Sequence, residues 1–251
     1  MENYSLQMFS VRDSAKNDMK ATLEKVSALG YTGVEFAGVF DNSASDVRKW
    51  LDEYKLDAFS AHIGFSILDN DFEGTVNYYK EIGTQYFVIP SAPYITKNDL
   101  DTSIDKINKY QEMLERHRIP LAYHNHNREY FPNENGQIPH NEIEKRTNVD
   151  FELDTFWTLC GGLDSISEME RLKDRIKIIH LKDGFVEKNI SVAIGEGNAP
   201  IKLIINKAVN LGFKMIVESE GLNPDGLSEV ERCIRYLHTL DSNKYHQYSI
   251  K

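Results

Sequence analysis

The 251-residue chain has little cysteine, no excess of positive charge and no long apolar run. Its only cysteines are Cys160 and Cys233, which excludes a disulfide scaffold and a cysteine-based zinc site. The chain has 29 Lys and Arg against 39 Asp and Glu, and its formal net charge is −10. Such a chain repels nucleic-acid phosphates unless it carries a basic patch. No cluster of Lys and Arg forms one, so we expect no nucleic-acid partner.

Membrane association is also disfavoured. No apolar run approaches the roughly 18 residues that a membrane span needs, and the acidic balance disfavours an anionic membrane surface. The first residues, MENYSLQMFSVRDS, lack the charged and apolar regions of a signal peptide. We therefore expect a cytoplasmic protein with no membrane partner.

The sequence does have a regular alternation of short apolar runs and amphipathic stretches. Eight apolar runs start about 30 residues apart, the length that a strand–helix unit needs. They cover 4–9, 33–37, 57–63, 86–90, 120–124, 149–153, 176–181 and 213–217. Helical spacing of apolar residues marks the stretches 18–30, 43–54, 98–117, 198–212 and 226–240.

Eight such units with no change of composition between the halves predict one (β/α)8 TIM barrel, an α/β domain that covers residues 1–251. A doubly wound open sheet is the alternative. That fold normally begins with a glycine-rich turn, whereas the first run here leads into SVRDSAKND, which contains no glycine. Two longer irregular segments, 127–141 and 184–199, follow predicted strands and would lie on the active face of a barrel.

Chemically capable residues stand at the ends of six predicted strands, where barrel enzymes have their active sites. Because side chains alternate along a strand, residues two apart share a face. We expect the following to converge on the barrel mouth: Glu35, His62, His124, His126, Glu152, Asp154, His180, Lys182, Glu218 and Glu220. Burying carboxylates and imidazoles together is costly unless a cation balances them, and these donors suit Mn²⁺, Mg²⁺, Co²⁺ or Zn²⁺. A plain ion pair between Glu152 and Lys182 is the structural alternative.

Seven stretches span residues 6–220 in order: LQMFSVRDS, LGYTGVEFAG, YHNHNREY, FELDTFW, HLKDG, IGEGNAPI and IVESE. Together they resemble the sugar phosphate isomerase/epimerase family of the xylose isomerase-like TIM barrel superfamily. The resemblance implies one divalent metal ion held by the last four strands. Its expected ligands are His124, Asp154, His180 and Glu218. His124 stands where the family usually has a glutamate, and the sequence leaves open whether His124 or His126 is the ligand.

The resemblance implies a metal-dependent isomerase or epimerase of a sugar or sugar-like polyol. A base would remove the proton next to a metal-bound carbonyl, and an enediolate would form before the proton returns. With His124 in the fifth strand, the paired glutamates of the 3-epimerases cannot be carried over. The expected catalytic residues are Glu218, His126 and Lys182. The expected substrate contacts are Glu35, His62, Trp157 and Glu196.

Other functions remain as alternatives. The same site could serve a metal-dependent lyase or dehydratase of a keto-sugar, keto-glycoside or inosose, if a β-oxygen leaves instead of a proton returning. A DNA-repair endonuclease is disfavoured by the acidic charge and by Trp157, which stands where those enzymes place a histidine ligand. A catalytically inactive sugar-binding protein would bind no metal. Related proteins often associate, and a homo-oligomer is compatible with this sequence, which specifies no interface.

Overall fold

The computed structural model of the protein describes residues 2–248, and side chains as far as residue 242. Eight parallel strands close into a barrel, which confirms the predicted (β/α)8 fold and excludes the open sheet. The strands of this range are β1 Tyr4–Gln7, β2 Gly33–Phe36, β3 Asp57–His62, β4 Tyr86–Ile89, β5 Leu121–His124, β6 Asp150–Asp154, β7 Ile176–Leu181, β8 Asp183–Phe185, β9 Ile190–Val192 and β10 Lys214–Val217. The barrel consists of β1 to β7 and β10, and β10 closes it against β1.

Helices connect the barrel strands. They are α1 Arg12–Ala15, α2 Met19–Leu29, α3 Ala44–Tyr54, α4 Phe65–Asn70, α5 Phe72–Glu81, α6 Lys97–Glu115, α7 Pro139–Arg146, α8 Thr155–Cys160, α9 Ser165–Arg171, α10 Ile201–Leu211 and α11 Gly226–Tyr248. The five predicted helical stretches correspond to α2, α3, α6, α10 and α11. No helix within the described part of the chain is long and apolar enough to cross a membrane.

Local sequence signals set the ends of these helices. At the start of α2, the Asp18 carboxylate accepts a hydrogen bond from the backbone N–H of Ala21. Gly30 ends the same helix at φ 103°, a left-handed conformation that glycine adopts without strain. A reciprocal pair of bonds between Thr96 and Asp99 begins α6. These ends return the chain to the next barrel strand.

The inward face of the barrel changes from apolar to charged along its length. A small apolar cluster occupies the lower interior: Val88, Ala122, Ile178 and Ile216. Ile178 stands two residues before His180 on β7, so both side chains share the inward face. On the outward face, Ile179 and Leu181 belong to the large core cluster that packs against the helices. The apolar floor therefore supports a polar layer at the carboxyl ends of the strands.

The segment 184–199 contains an element that the sequence patterns did not predict. Strands β8 and β9 pair as an antiparallel hairpin beyond the end of β7. Asp183 anchors it, because its carboxylate accepts hydrogen bonds from four backbone N–H groups, those of Gly184, Gly195, Gly197 and Ala199. Three of these donors follow β9, so the bonds tie the segment after the hairpin to the end of β7 beside the barrel mouth.

Candidate metal centre

Seven ionisable side chains at the carboxyl ends of the strands are almost completely buried: Glu35, His124, Glu152, Asp154, His180, Lys182 and Glu218. Burial of so many charges is tolerated only where opposite charges or hydrogen bonds compensate them. Their contacts divide the group into a deeper network around Glu152 and an outer network around Glu218.

In the deeper network, one oxygen of Glu152 meets three histidines. Glu152 Oε1 lies 2.7 Å from Nε2 of His62, 3.0 Å from Nδ1 of His124 and 3.0 Å from Nε2 of His180. The ring centroids of His62 and His180 lie 5.4 Å apart with nearly parallel planes. A single carboxylate oxygen therefore fixes the orientation of three imidazoles.

Glu35 completes the deeper network and is fully buried. Its Oε1 lies 2.7 Å from Nε2 of His180 and 3.2 Å from Nε2 of His62. Gln7 also donates to this oxygen at 2.7 Å, and Ser60 donates to the second oxygen at 2.5 Å. Both oxygens of Glu35 are thus engaged by protein groups, and its expected contact with substrate stays a prediction.

The outer network joins Lys182 to three carboxylates. Lys182 Nζ lies 2.8 Å from Oε1 of Glu220, 3.1 Å from Oε2 of Glu218 and 3.8 Å from Oδ2 of Asp154. His180 Nδ1 also lies 3.1 Å from Oε2 of Glu218. Lys182 therefore pairs with Glu218, Glu220 and Asp154. The sequence leaves open an ion pair between Lys182 and Glu152 as an alternative, but Glu152 contacts the histidines instead.

Burial and charge set the protonation of these groups. Burial, reinforced by the charge of nearby His180, lowers the pKa of His124 well below its usual value, so this imidazole is neutral and keeps a lone pair. Burial raises the pKa of the Asp154 carboxyl to about 6, because Lys182 and His180 oppose it only in part. Burial would lower the pKa of His62, but Glu35 and Glu152 outweigh it and raise that pKa to about 10.

Two overlapping sets of four residues offer donor atoms that all lie within 4.8 Å of one another. The outer set is His124, Asp154, His180 and Glu218, and the deeper set is His62, His124, Glu152 and His180. Within the described chain, Asp154 Oδ2 and Glu152 Oε2 are buried without a hydrogen-bond partner. An unsatisfied buried carboxylate oxygen is costly, and a cation bound in the outer set would remove that cost for Asp154. The nitrogen and oxygen donors fit a divalent ion.

A cavity of about 440 Å³ opens above the outer set. Its polar wall is formed by His62, His124, His126, Glu218 and Glu220, and its apolar wall includes Phe9, Ile67 and Pro90. Ile67 and Pro90, which the sequence analysis did not single out, come from the segments just after β3 and β4. Pro90 directly follows β4, and that position is the signal that could have identified it, whereas Ile67 lies on α4.

His126 and Trp157 stand beside the donor sets. The His126 side chain is 39% exposed, and its Nδ1 lies 3.8 Å from Oε1 of Glu129. His126 is in neither four-residue set, whereas His124 is in both. The Trp157 ring lies 4.8 Å from Nζ of Lys182 and 6.1 Å from the His126 ring. Both residues are therefore next to the charged groups without being part of the donor arrangement.

Glu196 does not join the other predicted site residues. Its side chain is 46% exposed, and Oε1 accepts a hydrogen bond from Nε of Arg232 on α11 at 2.7 Å. The ion pair connects the long segment after β7 to the last helix. Its expected role in closing over substrate stays a prediction.

Comparison with known proteins gives consistent matches along the chain. Residues 23–240 match the family model described as "Xylose isomerase-like TIM barrel". An inosose dehydratase of Mesomycoplasma hyopneumoniae is 23% identical over 244 residues, which cover 89% of this chain and 77% of that protein. A crystal structure of a sugar phosphate isomerase/epimerase from Parabacteroides distasonis superposes with a TM-score of 0.78 at 25% identity, covering 94% of this chain and 93% of that one. The IOLI protein, solved with a bound zinc atom, superposes with a TM-score of 0.74 at 14% identity, covering 96% of this chain and 99% of that one.

Proposed function

The chain belongs to the xylose isomerase-like TIM barrel family, and we propose that it is a divalent-metal-dependent isomerase or epimerase of a sugar or sugar-like polyol. The observation that carries the proposal is the outer donor set, His124, Asp154, His180 and Glu218, with its atoms within 4.8 Å of one another beneath the cavity. Burial would lower the pKa of His180, but the neighbouring carboxylates raise it well above its usual value, so an ion would displace one proton from this imidazole. The two imidazoles would then be neutral, and a divalent ion would balance the two carboxylates of the set.

The outer set is the one that would hold the ion. It includes Asp154 Oδ2, a buried oxygen without a hydrogen-bond partner in the described chain, and it borders the cavity through His124 and Glu218. Mn²⁺, Mg²⁺, Co²⁺ and Zn²⁺ are the candidates, and the zinc atom bound by a protein of the same fold supports zinc. When bound, such an ion polarises a substrate carbonyl and acidifies the neighbouring C–H group.

Two residues of the chain would transfer the proton, and a third would stabilise the charge that develops. Glu218 and His126 line the cavity and can accept or return it. The Lys182 ammonium is held among carboxylates at the mouth and can stabilise negative charge that develops on a substrate oxygen. Substitution of each residue tests its role.

The walls of the cavity suit a sugar ring. Hydroxyl groups can bond to the polar wall, and the C–H face of the ring can pack on the apolar wall near Phe9 and Ile67. Of the four substrate contacts expected from the sequence, His62 lines this cavity. The Trp157 ring packs beside His126 and Lys182, where it can restrict the positions of both side chains.

A metal-dependent dehydratase is the second candidate, and the inosose dehydratase relatives favour it. Both reactions begin with removal of a proton next to a carbonyl. In the dehydratase a β-hydroxyl group then leaves, and that group needs a proton from an acid such as Lys182. The two candidates therefore share the site and differ in the second step.

Solvent deuterium separates these possibilities. We would incubate the Zn²⁺- or Mn²⁺-loaded protein with a panel of ketohexoses and with an inosose in D₂O, and follow the products by NMR and mass spectrometry. An isomerase or epimerase incorporates deuterium next to the carbonyl and retains all oxygens, whereas a dehydratase gives a product lighter by one water. Asp154→Asn serves as the control. Exchange at equal rates in both proteins, or no reaction with any member of the panel, would contradict the proposal.

A further inference from the structure

We infer that Glu152 and Glu35 are positioning residues, which hold protons on the inner nitrogens of His124 and His180 and so direct a lone pair of each imidazole toward the metal. The inference rests on the metal site proposed above. The deeper donor set is then a hydrogen-bonded support and binds no ion of its own.

The contact between His124 and Glu152 fixes the tautomer of this imidazole. An ionised carboxylate can only accept hydrogen bonds, so an imidazole nitrogen that bonds to it must carry the proton. Nδ1 of His124 lies 3.0 Å from Oε1 of Glu152. The lone pair of this neutral imidazole is therefore on Nε2, the nitrogen that remains for the outer set. Carboxylates behind metal-binding histidines commonly fix their tautomer and orientation in this way.

His180 has both nitrogens engaged, and their partners differ in kind. Nε2 lies 2.7 Å from Oε1 of Glu35 and 3.0 Å from Oε1 of Glu152, both in the deeper network. Nδ1 lies 3.1 Å from Oε2 of Glu218, a member of the outer set. Two ligands of one ion with bonds of about 2.1 Å in a tetrahedral arrangement lie roughly 3.4 Å apart, close to this separation. Nδ1 is thus the nitrogen that can share an ion with Glu218.

His62 explains why the deeper set would not take a second ion. Its Nε2 lies 2.7 Å from Glu152 Oε1 and 3.2 Å from Glu35 Oε1. With His124 and His180, three imidazole nitrogens already direct N–H groups at these two carboxylates. An ion in the deeper set would have to displace those protons and bind Nδ1 of His124 and Nε2 of His180. Neither imidazole would then keep the tautomer that the outer site needs.

Glu152 also accounts for the identity of residue 124. A glutamate there, as the family resemblance would lead one to expect, would add a third buried carboxylate to Glu152 and Glu35, where like charges repel strongly. His124 instead donates to Glu152. The resulting pair of imidazole ligands suits Zn²⁺ or Co²⁺ better than Mg²⁺, which prefers oxygen donors.

The experiment measures metal binding directly. We would prepare the full-length protein and three variants, Glu152→Gln, Glu35→Gln and Glu168→Gln. The last is a matched control, since Glu168 is a buried glutamate on α9 that bonds to Arg171. Affinity for Zn²⁺ and Co²⁺ would be measured by competition with a chelator, stoichiometry by elemental analysis, and ligand geometry by the visible spectrum of bound Co²⁺.

The wild-type protein should bind one ion per chain. Glu152→Gln should weaken the affinity about 10- to 100-fold and change the Co²⁺ spectrum, because it loosens both imidazole ligands. Glu35→Gln should weaken it less, since Glu35 contacts only His180 of the two ligands, and Glu168→Gln should bind as the wild type does.

Wild-type affinity in both site variants would overturn the inference, and so would two ions per wild-type chain. If Glu152→Gln does not fold, Glu35→Gln alone decides the outcome. The proposed function has a separate control in Asp154→Asn. Undiminished metal binding by Asp154→Asn would contradict the proposed metal site itself, whereas loss of metal there with normal binding by Glu152→Gln would overturn only the positioning role.

Discussion

Nζ of Lys182 lies 3.1 Å from Oε2 of Glu218, the oxygen that also lies 3.1 Å from Nδ1 of His180. The buried ammonium therefore holds a carboxylate that belongs to the outer donor set. It stabilises the clustered carboxylates of the mouth, and it would compete with a metal ion bound at the proposed site for the same oxygen atom.

Replacement of Lys182 by Met should separate its stabilisation of the carboxylates from its competition with the metal. The metal-free protein should lose about 3–5 kcal/mol of unfolding free energy, because removal of one partner leaves buried carboxylates without compensation. Zn²⁺ should bind more tightly, since its competitor is gone, and turnover should fall. Urea unfolding and a Zn²⁺ titration check the two statements. Lys177→Met, an exposed position on the same strand, is the control, and weaker Zn²⁺ binding by Lys182→Met would contradict this account.

Asp154 has a structural role besides its proposed role as a ligand. Its Oδ1 accepts a hydrogen bond from the backbone N–H of Trp157 at 2.8 Å and so begins α8, while Oδ2 has no such partner within the described residues. Asp154→Ala should therefore lose the metal and also about 1 kcal/mol of unfolding free energy, the usual effect of removing such a cap.

Asp154→Asn keeps an oxygen for the helix start and should lose the metal with less loss of stability. Thermal unfolding of both metal-free variants, together with their metal content, tests this difference. Equal destabilisation by the two substitutions would show that the cap contributes little.

His124, at the end of β5, and His126, two residues beyond it, should respond differently to substitution. His124→Ala should lose metal affinity, because His124 is buried and belongs to both donor sets. His126→Ala should keep the metal and lower turnover about 10²- to 10⁴-fold, the usual contribution of a general acid or base. Metal titration and steady-state kinetics on the two variants decide the matter. Loss of metal from His126→Ala alone would reverse the assignment.

His140 should make the fold sensitive to acid. Burial, followed by the charges of Arg171 and Arg175, lowers the pKa of His140 to about 3. The unfolded chain binds a proton near the ordinary pKa of about 6.5, whereas folded His140 stays neutral, so its contribution to stability is present above that pH and is lost as the pH falls. Between pH 7 and pH 5 this effect amounts to about 2 kcal/mol.

His140→Phe should remove that part of the pH dependence. Phenylalanine keeps an aromatic ring next to Phe151, whose centroid lies 5.0 Å from that of His140, and Nε2 of His140 has no hydrogen-bond partner to lose within the described chain. Denaturant unfolding at pH 7 and pH 5 gives the comparison. If stability falls equally with pH in both proteins, the titration of His140 is not the cause.

The barrel could be predicted because its signals are local and repeated. Each barrel strand is a short apolar run, and each long helix has an apolar face and a recognisable end, such as Gly30 after α2. Side-chain alternation also placed His180 and Lys182 on the inward face, since it depends only on residue spacing. The short helices α4, α8 and α9 span only six or seven residues, too few to show a helical period.

The partners within the mouth could not be predicted in the same way. Alternation fixes the face of the strand on which a side chain lies, but not which residue it contacts across the barrel. The sequence therefore left open an ion pair between Glu152 and Lys182. In the structure Glu152 meets the histidines one level below the outer carboxylates. Glu196 illustrates the limit for loops, because its partner Arg232 lies 36 residues along the chain on α11.

The most direct test of the central claim is the metal content of protein purified without chelator or affinity metal, measured by plasma mass spectrometry. We predict about one equivalent of a divalent metal per chain, most readily Zn or Co given two imidazole donors, and its loss from both Asp154→Asn and Glu218→Gln. A wild-type protein that contains no metal and binds none on titration with Zn²⁺, Co²⁺ or Mn²⁺ would contradict the account. The buried carboxylates and histidines would then be charge pairs that hold the barrel mouth together.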